Sequence, residues 1–326
     1  MSIPSDSVLP QGAPMPRRPL GSGDEWVMLP DGRRFWGAFG AAGLLVHAPD
    51  AGVLLQHRAG YSHFGGTWGL PGGARHSDES AVEGAIREAA EEAGVPGDRL
   101  RVQFTSVLDL DVWTYTTVVA SVEERFEPVI GDAESIALAW VPIDEVDDLP
   151  LHPGFAASWP ELRAQLRAAP TLIIDAANVV GSRPDAWWKD RPGAAQRLAA
   201  SLERLAARGV PAALLELPGH TWWPRLVLVL EGEAKQATIP SPSASGSAAT
   251  GASAGGGSSS AGLTIELAST DGDSRIRELV SLAAEHSDSV TVVVTADRAL
   301  ADSVRALGAR VVGPRALLEL IDTLDS

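Results

Sequence analysis

The chain has 326 residues, of which 45% are apolar and 21% charged; these are values of a soluble globular protein too long for one ordinary core. It contains no cysteine, which excludes disulfides and thiolate zinc sites. The net charge of −16 falls mostly on the first 160 residues, where 10 Arg and no Lys stand against 23 Asp and Glu. Such a balance argues against a broad nucleic-acid surface there; it fits a site that holds cations, or a merely solvated acidic surface.

Residues 1–22, rich in Pro, Ser and Gly, read as a disordered arm without an apolar core of signal-peptide length. No run of 18 apolar residues occurs, so no membrane partner is expected and a cytoplasmic location is the default. A first domain is expected over residues 25–168. Within it, residues 41–46 and 52–56 read as two strands joined by a turn, and 79–93 as a helix. Residues 102–108 and 114–122 read as strands, 140–142 as a short strand end, and 160–168 as a closing helix.

A second domain is expected over residues 171–326. The apolar run 172–175 ends in Asp175, 194–207 has helical period, and 212–217 and 225–230 are strand-like. Helices at 275–286, 299–307 and 315–324 alternate with strands at 290–294 and 310–312. This alternation predicts an α/β fold with a parallel sheet and helices on both faces. Residues 238–262 carry almost only Ser, Gly, Ala, Thr and Pro and read as a disordered insertion. A boundary to a third domain is the alternative, but the remaining ~60 residues would be marginal alone.

The most informative segment is GTWGLPGGARHSDESAVEGAIREAAEEAGV, residues 66–95. In a helix over 79–93, Val82, Ala85, Ile86, Ala89, Ala90 and Ala93 form one apolar stripe. Ser77 is the expected N-cap, and Gly94 stands where a left-handed stop is wanted. Glu88, Glu91 and Glu92 lie off that stripe at i, i+3 and i+4. Three carboxylates so close repel one another. A solvated acidic face or a bound hard cation would account for them. Arg87 is spaced to orient carboxylates through bidentate hydrogen bonds. Ahead of the helix, Gly69, Pro71, Gly72 and Gly73 make a tight approach that bares backbone groups beside its start.

These residues resemble the Nudix box, Gly-x5-Glu-x7-Arg-Glu-U-x-Glu-Glu-x-Gly-U with U a bulky aliphatic, through Gly73, Glu79, Arg87, Glu88, Ala89, Glu91, Glu92, Gly94 and Val95. The one departure is Ala89, where a larger aliphatic is usual. The resemblance implies an α/β/α sandwich around a mixed sheet and a nucleotide pyrophosphohydrolase acting on a small nucleoside diphosphate derivative. It further implies Mg2+ or Mn2+ held by Glu88, Glu91 and Glu92, with the Gly72 carbonyl as a further ligand. Arg87 would orient the carboxylates and Glu79 support the loop. Glu134 is the candidate general base, with Glu88 its competitor and an ordinary loop acid the plain alternative. Arg58, Tyr61, His63, Phe64 and Trp68 precede the box; Arg58 could reach a phosphate, and Phe64 or Trp68 could stack on a base, though packing serves each equally, as it does Phe35 and Trp36.

In the second domain, acids recur at strand ends: Asp175 with Asn178, Glu231, Asp271 and Asp273, and Asp297. Sites form at the carboxyl ends of strands in an open parallel sheet. The arrangement resembles the NYN/PIN-like nuclease domains, through Asp175, Asn178, Asp273 and Asp297, with Glu231 as a further acid. It implies an RNA-processing nuclease, with the first domain as its nucleotide sensor, as the alternative function. Arg183, Trp187, Trp188, Lys189 and Arg191 form an aromatic and basic loop suited to RNA. Helix caps and loop acids in an inactive domain are the plain alternative. Neither the substrate nor the oligomeric state is encoded legibly.

Overall fold

The computed structural model describes residues 21–29, 32–62, 64–183, 187–239 and 262–324. The arm at 1–22 and the insertion at 238–262 therefore lie almost wholly outside the described residues. The chain divides into two compact units, meeting in sequence between Leu166 and Arg167.

The first unit opens with a hairpin, β1 (Trp26–Met28) and β2 (Arg34–Trp36), in which Trp26 pairs with Trp36. A mixed sheet follows. Its strands are β3 (Ala41–Ala48), β4 (Gly52–Arg58), β5 (Trp68–Gly69) and β6 (Gly72–Ala74), then, after helix α1 (Ala81–Ala93), β7 (Arg101–Asp109), β8 (Thr114–Ser121) and β9 (Ser135–Val141). β3 lies parallel to β8, and the other pairings are antiparallel. β3 is buried along its whole length, as its unbroken apolar run requires. β3 and β4 pair only at the hairpin end, His47 with Val53 and Ala48 with Gly52. They then part: β3 joins β6, while β4 joins β9 and β5. Helix α2 (Pro153–Gln165) closes the unit.

Two local expectations are corrected here. Ser77 does not cap α1. The helix starts two residues later than its period suggested, because Ser80 and Glu83 form a reciprocal capping box, Ser80 Oγ accepting from Glu83 N at 3.2 Å and Glu83 Oε2 from Ser80 N at 2.8 Å. Gly94 ends the helix at φ 64°. The closing helix starts not at Pro160 but at Pro153, a first-turn position that tolerates proline, so Pro160 stands inside it.

The second unit is a five-stranded, wholly parallel sheet in the order β14, β13, β10, β15, β16. The unit runs through β10 (Ala169–Asp175), α3 (Ala176–Gly181), α4 (Arg191–Arg208), β11 (Val210–Pro211), α5 (Ala212–Leu215), β12 (Thr221–Trp222) and β13 (Arg225–Leu230), the short β11 and β12 pairing antiparallel with each other outside the five-stranded sheet. Beyond the insertion come β14 (Leu263–Leu267), α6 (Gly272–Ala284), β15 (Ser289–Val294), α7 (Arg298–Ala306), β16 (Arg310–Val312) and α8 (Pro314–Leu324). β13 and β14, on either side of the insertion, are neighbours in this one sheet. Residues 212–217, expected as a strand, instead form the short α5, which ends at Glu216 in a left-handed conformation; a run of Ala and Leu this short has no period that separates the two. Ile173, Val227, Val293, Ile276, Leu300 and Val304 lie in the core between sheet and helices.

Ser80→Ala removes the capping box and should lower unfolding stability by about 1 kcal/mol, read from denaturant titration, while the turnover of the folded fraction stays unchanged.

Candidate active site

Helix α1 does not present its glutamates to solvent together. Glu88 and Glu92 lie on its buried face with Ala85, Ala89 and Ala93, whereas Glu91 and Ala90 are exposed. The apolar stripe read from the sequence is therefore rotated, and two carboxylates are turned inward.

Glu92 is 4% exposed. Its Oε2 accepts from the backbone N–H of Gly72 on β6 at 3.0 Å and from Gln56 Nε2 on β4 at 3.3 Å. The carboxylate thus bridges the two strand branches where they have parted. Burial pushes its carboxyl well above the ordinary range, reinforced by the charges of Asp132, Glu88 and Glu134 and opposed by the Gly72 hydrogen bond. Glu88 lies across Gly73: a Cβ there would stand 2.8 Å from Glu88 Cδ. A Cβ on Gly72 would stand 2.4 Å from the Ala42 carbonyl oxygen. Gly72 is required by this approach to backbone, whereas a side chain at Gly73 would have to push the Glu88 carboxylate aside.

Arg87 ties the loop to the helix. Its Nε and Nη2 donate to the two oxygens of Glu79 at 2.9 and 2.6 Å. Nη2 also donates to the Ala74 carbonyl at 3.1 Å, and Nη1 to Glu88 at 2.7 Å and Glu91 at 3.4 Å. Glu79 in turn accepts from His76 N at 2.7 Å. Burial pushes the Glu79 carboxyl up, but the hydrogen bonds from Arg87 and His76 outweigh it and hold the group below its ordinary value.

The loop at 129–134 is stitched to the end of α1, Val129 N to Ala93 O at 3.1 Å and Gly131 N to Glu92 O at 3.0 Å. It carries Glu134, which is 54% exposed and 3.9 Å from Arg58 Nη2. Arg58 is thus engaged by the proposed base, with its side chain 17% exposed. The same loop carries Asp132, which sequence reasoning missed. Asp132 accepts from Glu134 N at 2.9 Å, and its charge acts on Glu92. Only its place two residues before Glu134 could have flagged it. Tyr61 donates to the Ala133 carbonyl across this loop. Phe64 is exposed and meets His152 edge-on at 4.9 Å. Trp68 is buried and stacked on His57 at 4.7 Å, so it stands as packing. His63 lies outside the described residues.

Among the described residues, no three carboxylates or imidazoles are already closed around an ion position. The donor set nevertheless suits a hard divalent cation. Several carboxylates face one buried carboxylate that receives only two hydrogen bonds, and Mg2+ in particular keeps waters and substrate phosphates as its remaining ligands.

In the second unit the sheet order reverses between β10 and β15, and the acids gather at that carboxyl edge. Asp175 accepts from Asn178 Nδ2 at 2.7 Å, Asn178 N at 3.2 Å and Thr295 Oγ1 at 2.9 Å. Burial raises its carboxyl against those bonds, and Glu231 adds to the rise. Asp273 is raised by burial and then by Asp175 and Asp297. Glu231 accepts from Gly272 N at 2.7 Å, and Asp297 caps α7. In the loop that follows, Trp188 is exposed, but Arg183 pairs with Asp322 at 2.6 Å and Arg191 with Glu233 at 3.7 Å.

Residues 38–162 match the model of the NUDIX domain. The chain is 52% identical over 165 residues to a Mycobacterium tuberculosis protein named "Putative 8-oxo-dGTP diphosphatase 3", an alignment that spans 48% of this chain and 76% of that one. The chain belongs to the Nudix hydrolase family. It is accordingly a hydrolase of phosphoric anhydrides, in a family that uses divalent metal ions and small nucleotide substrates. Over 152 residues this Nudix protein is 41% identical to a "Nucleoside triphosphate pyrophosphatase/Nudix hydrolase fusion protein" of Bifidobacterium longum, covering 44% of this chain and 32% of that one. The crystal structure of the Nudix hydrolase RenU from M. smegmatis shares 52% identity and covers 44% of this chain and 94% of its own, with a TM-score of 0.41. Among the described residues, no helix is long and apolar enough to cross a membrane.

Gly73→Ala should force the Glu88 carboxylate aside. Because displacements of about 1 Å cost on the order of 100-fold in rate, kcat should fall by about that factor with little change in melting temperature. Wild-type kcat in a folded variant would show that Glu88 takes no part.

Proposed function

We propose that the first unit is a nucleotide pyrophosphohydrolase that cleaves the diphosphate bridge of a nucleoside triphosphate, with oxidised purine triphosphates the first class to try. One observation carries this reading: Glu92 is buried at the parting of two strands, on one helix face with Glu88, and the loop that carries Asp132 and Glu134 is hydrogen-bonded to its backbone, Gly131 N to Glu92 O at 3.0 Å. That is an excess of negative charge suited to a cation and the phosphates it neutralises. The name of the Mycobacterium tuberculosis relative supports the triphosphate class.

Glu88, Glu91 and Glu92, with the Gly72 carbonyl, would hold Mg2+ or Mn2+. When bound, the ion lowers the pKa of a water and offsets charge developing on the phosphates. Arg87 holds the Glu88 and Glu79 carboxylates in place. Glu134 takes the proton of the attacking water. It stands exposed on the loop hydrogen-bonded to the Glu92 backbone, whereas Glu88, its competitor, is buried beneath Arg87. Arg58, beside Glu134, is placed to meet a substrate phosphate, and exposed Phe64 to meet a base.

A second activity is favoured by the acidic edge of the second unit. We read residues 171–326 as a NYN/PIN-like domain in which Asp175, Asn178, Glu231, Asp273 and Asp297 act on RNA. The supporting observation is that Thr295 joins two of these acids from separate strand ends, donating to Asp175 at 2.9 Å while its hydroxyl accepts from Asp297 N at 3.1 Å.

The purified chain should be offered nucleoside triphosphates, 8-oxo-dGTP, ADP-ribose, dinucleoside polyphosphates, NAD and capped RNA with Mg2+ or Mn2+, with phosphate and pyrophosphate measured. Turnover of a triphosphate to pyrophosphate that Glu92→Gln abolishes is expected. Equal rates for Glu92→Gln and wild type would sink the assigned metal site. Cleavage of single-stranded RNA should survive Glu92→Gln and disappear in Asp175→Asn; RNA left intact by the wild-type chain would remove the second activity.

A further inference from the structure

We propose that Gln56 is a positioning residue for the Glu92 carboxylate, selecting which of its oxygens is left for a cation. The inference rests on the reading of α1 as a metal-holding helix. Gln56 lies in β4 and has no exposed surface. Its Nε2 donates to Ser135 Oγ, at the start of β9, at 2.6 Å, and to Glu92 Oε2 at 3.3 Å. The Gly72 N–H, from β6, donates to the same Oε2 at 3.0 Å. Donors from both strand branches therefore converge on one oxygen of Glu92 and leave Oε1 outside the clamp. A glutamate side chain has three rotatable bonds. Here one oxygen is held on two sides, which fixes where the other points.

Packing alone does not explain a glutamine at this place. Its Oε1 is buried and has no hydrogen-bond partner, and an unsatisfied buried acceptor is costly. Leucine, of similar size, would leave no such atom beside the buried Leu138, its partner on β9. With Glu92 ionised, as a ligand to a cation must be, reversing the amide end for end would set its oxygen against a carboxylate oxygen, so in that form the donor end faces Glu92. Ser135, itself fully buried, holds the amide in that orientation. The arrangement is an outer layer of hydrogen bonds that orients a candidate ligand, and removing such a layer typically weakens metal binding by about 10- to 100-fold.

The test is Mn2+ titration of the full-length chain, followed by electron paramagnetic resonance without substrate, together with melting of the metal-free protein. Gln56→Leu should weaken Mn2+ binding by about 10- to 100-fold while the metal-free protein still melts cooperatively, removal of the unsatisfied oxygen partly offsetting the hydrogen bonds lost at Ser135 and Glu92. Ser135→Ala should give a smaller loss in the same direction, because the amide keeps Glu92 but loses its anchor. Two outcomes overturn the proposal while leaving the metal site standing. One is Mn2+ binding by Gln56→Leu within about twofold of wild type while Glu92→Gln binds weakly. The other is a metal-free Gln56→Leu variant that no longer melts cooperatively, which makes the residue structural. A Glu92→Gln variant that binds Mn2+ as wild type does would instead overturn the reading of α1 on which the inference rests.

Discussion

A carboxylate enclosed between diverging strands governs the first unit. Burying an ionised group is unfavourable unless donors or an opposite charge compensate it. Glu92 receives two donors and faces three further acids. The surroundings therefore favour either a proton on Glu92 or a cation beside it. The backbone has been shaped to allow this. β3 and β4 separate after two residue pairs, which makes room for the carboxylate, and β6 approaches closely enough that Gly72 admits no side chain. Fold and chemistry meet at this point, because the same parting that interrupts the sheet creates the position of the acid.

Arg87 performs the complementary task on the loop side. A planar guanidinium with five donors can satisfy Glu79 through two parallel hydrogen bonds and still reach Glu88, Glu91 and the Ala74 carbonyl. A lysine ammonium has no such fork. The loop that carries Gly72 and Gly73 is thereby fastened to the helix that carries the acids, so their relative placement does not depend on a metal being present. Its tie to Glu88 also leaves that buried carboxylate less open to an incoming water than Glu134, whose side chain is 54% exposed.

Much of this was legible in the sequence, and the failures have identifiable causes. Gly73, Glu79, Arg87, Glu88, Glu91, Glu92 and Gly94 announce themselves by spacing, and Gly94 does take the left-handed stop. The orientation of α1 was not legible. Periodicity assigns charged residues outward by default, whereas Glu88 and Glu92 displace Val82, Ile86 and Ala90 from the buried face. The N-cap was misplaced because Ser77 and Ser80 are both acceptable caps, and only the reciprocal Glu83 contact separates them. Residues 212–217 were too short to show any period. Gln56, Ser135 and Asp132 carry no motif at all. Their part depends on β4, β9 and a loop converging on Glu92 from distant stretches of chain, which no local pattern encodes.

The second unit shows how far a plain structural account reaches. Capping explains Asp175, Asp271 and Asp297, each of which accepts a backbone N–H at a helix start. Glu231 is likewise satisfied by the Gly272 N–H. Asp273 is the exception. The α6 cap is already supplied by Asp271, and Asp273 stands one position inside the first turn, 4.0 Å from Arg277. A helix N-terminus favours an acid there, yet burial and the charges of Asp175 and Asp297 push its carboxyl up. That direction is the opposite of what an acid placed only for the helix dipole would show. At the edge where the strand order reverses, Asp273 is thus the acid that a cap does not account for.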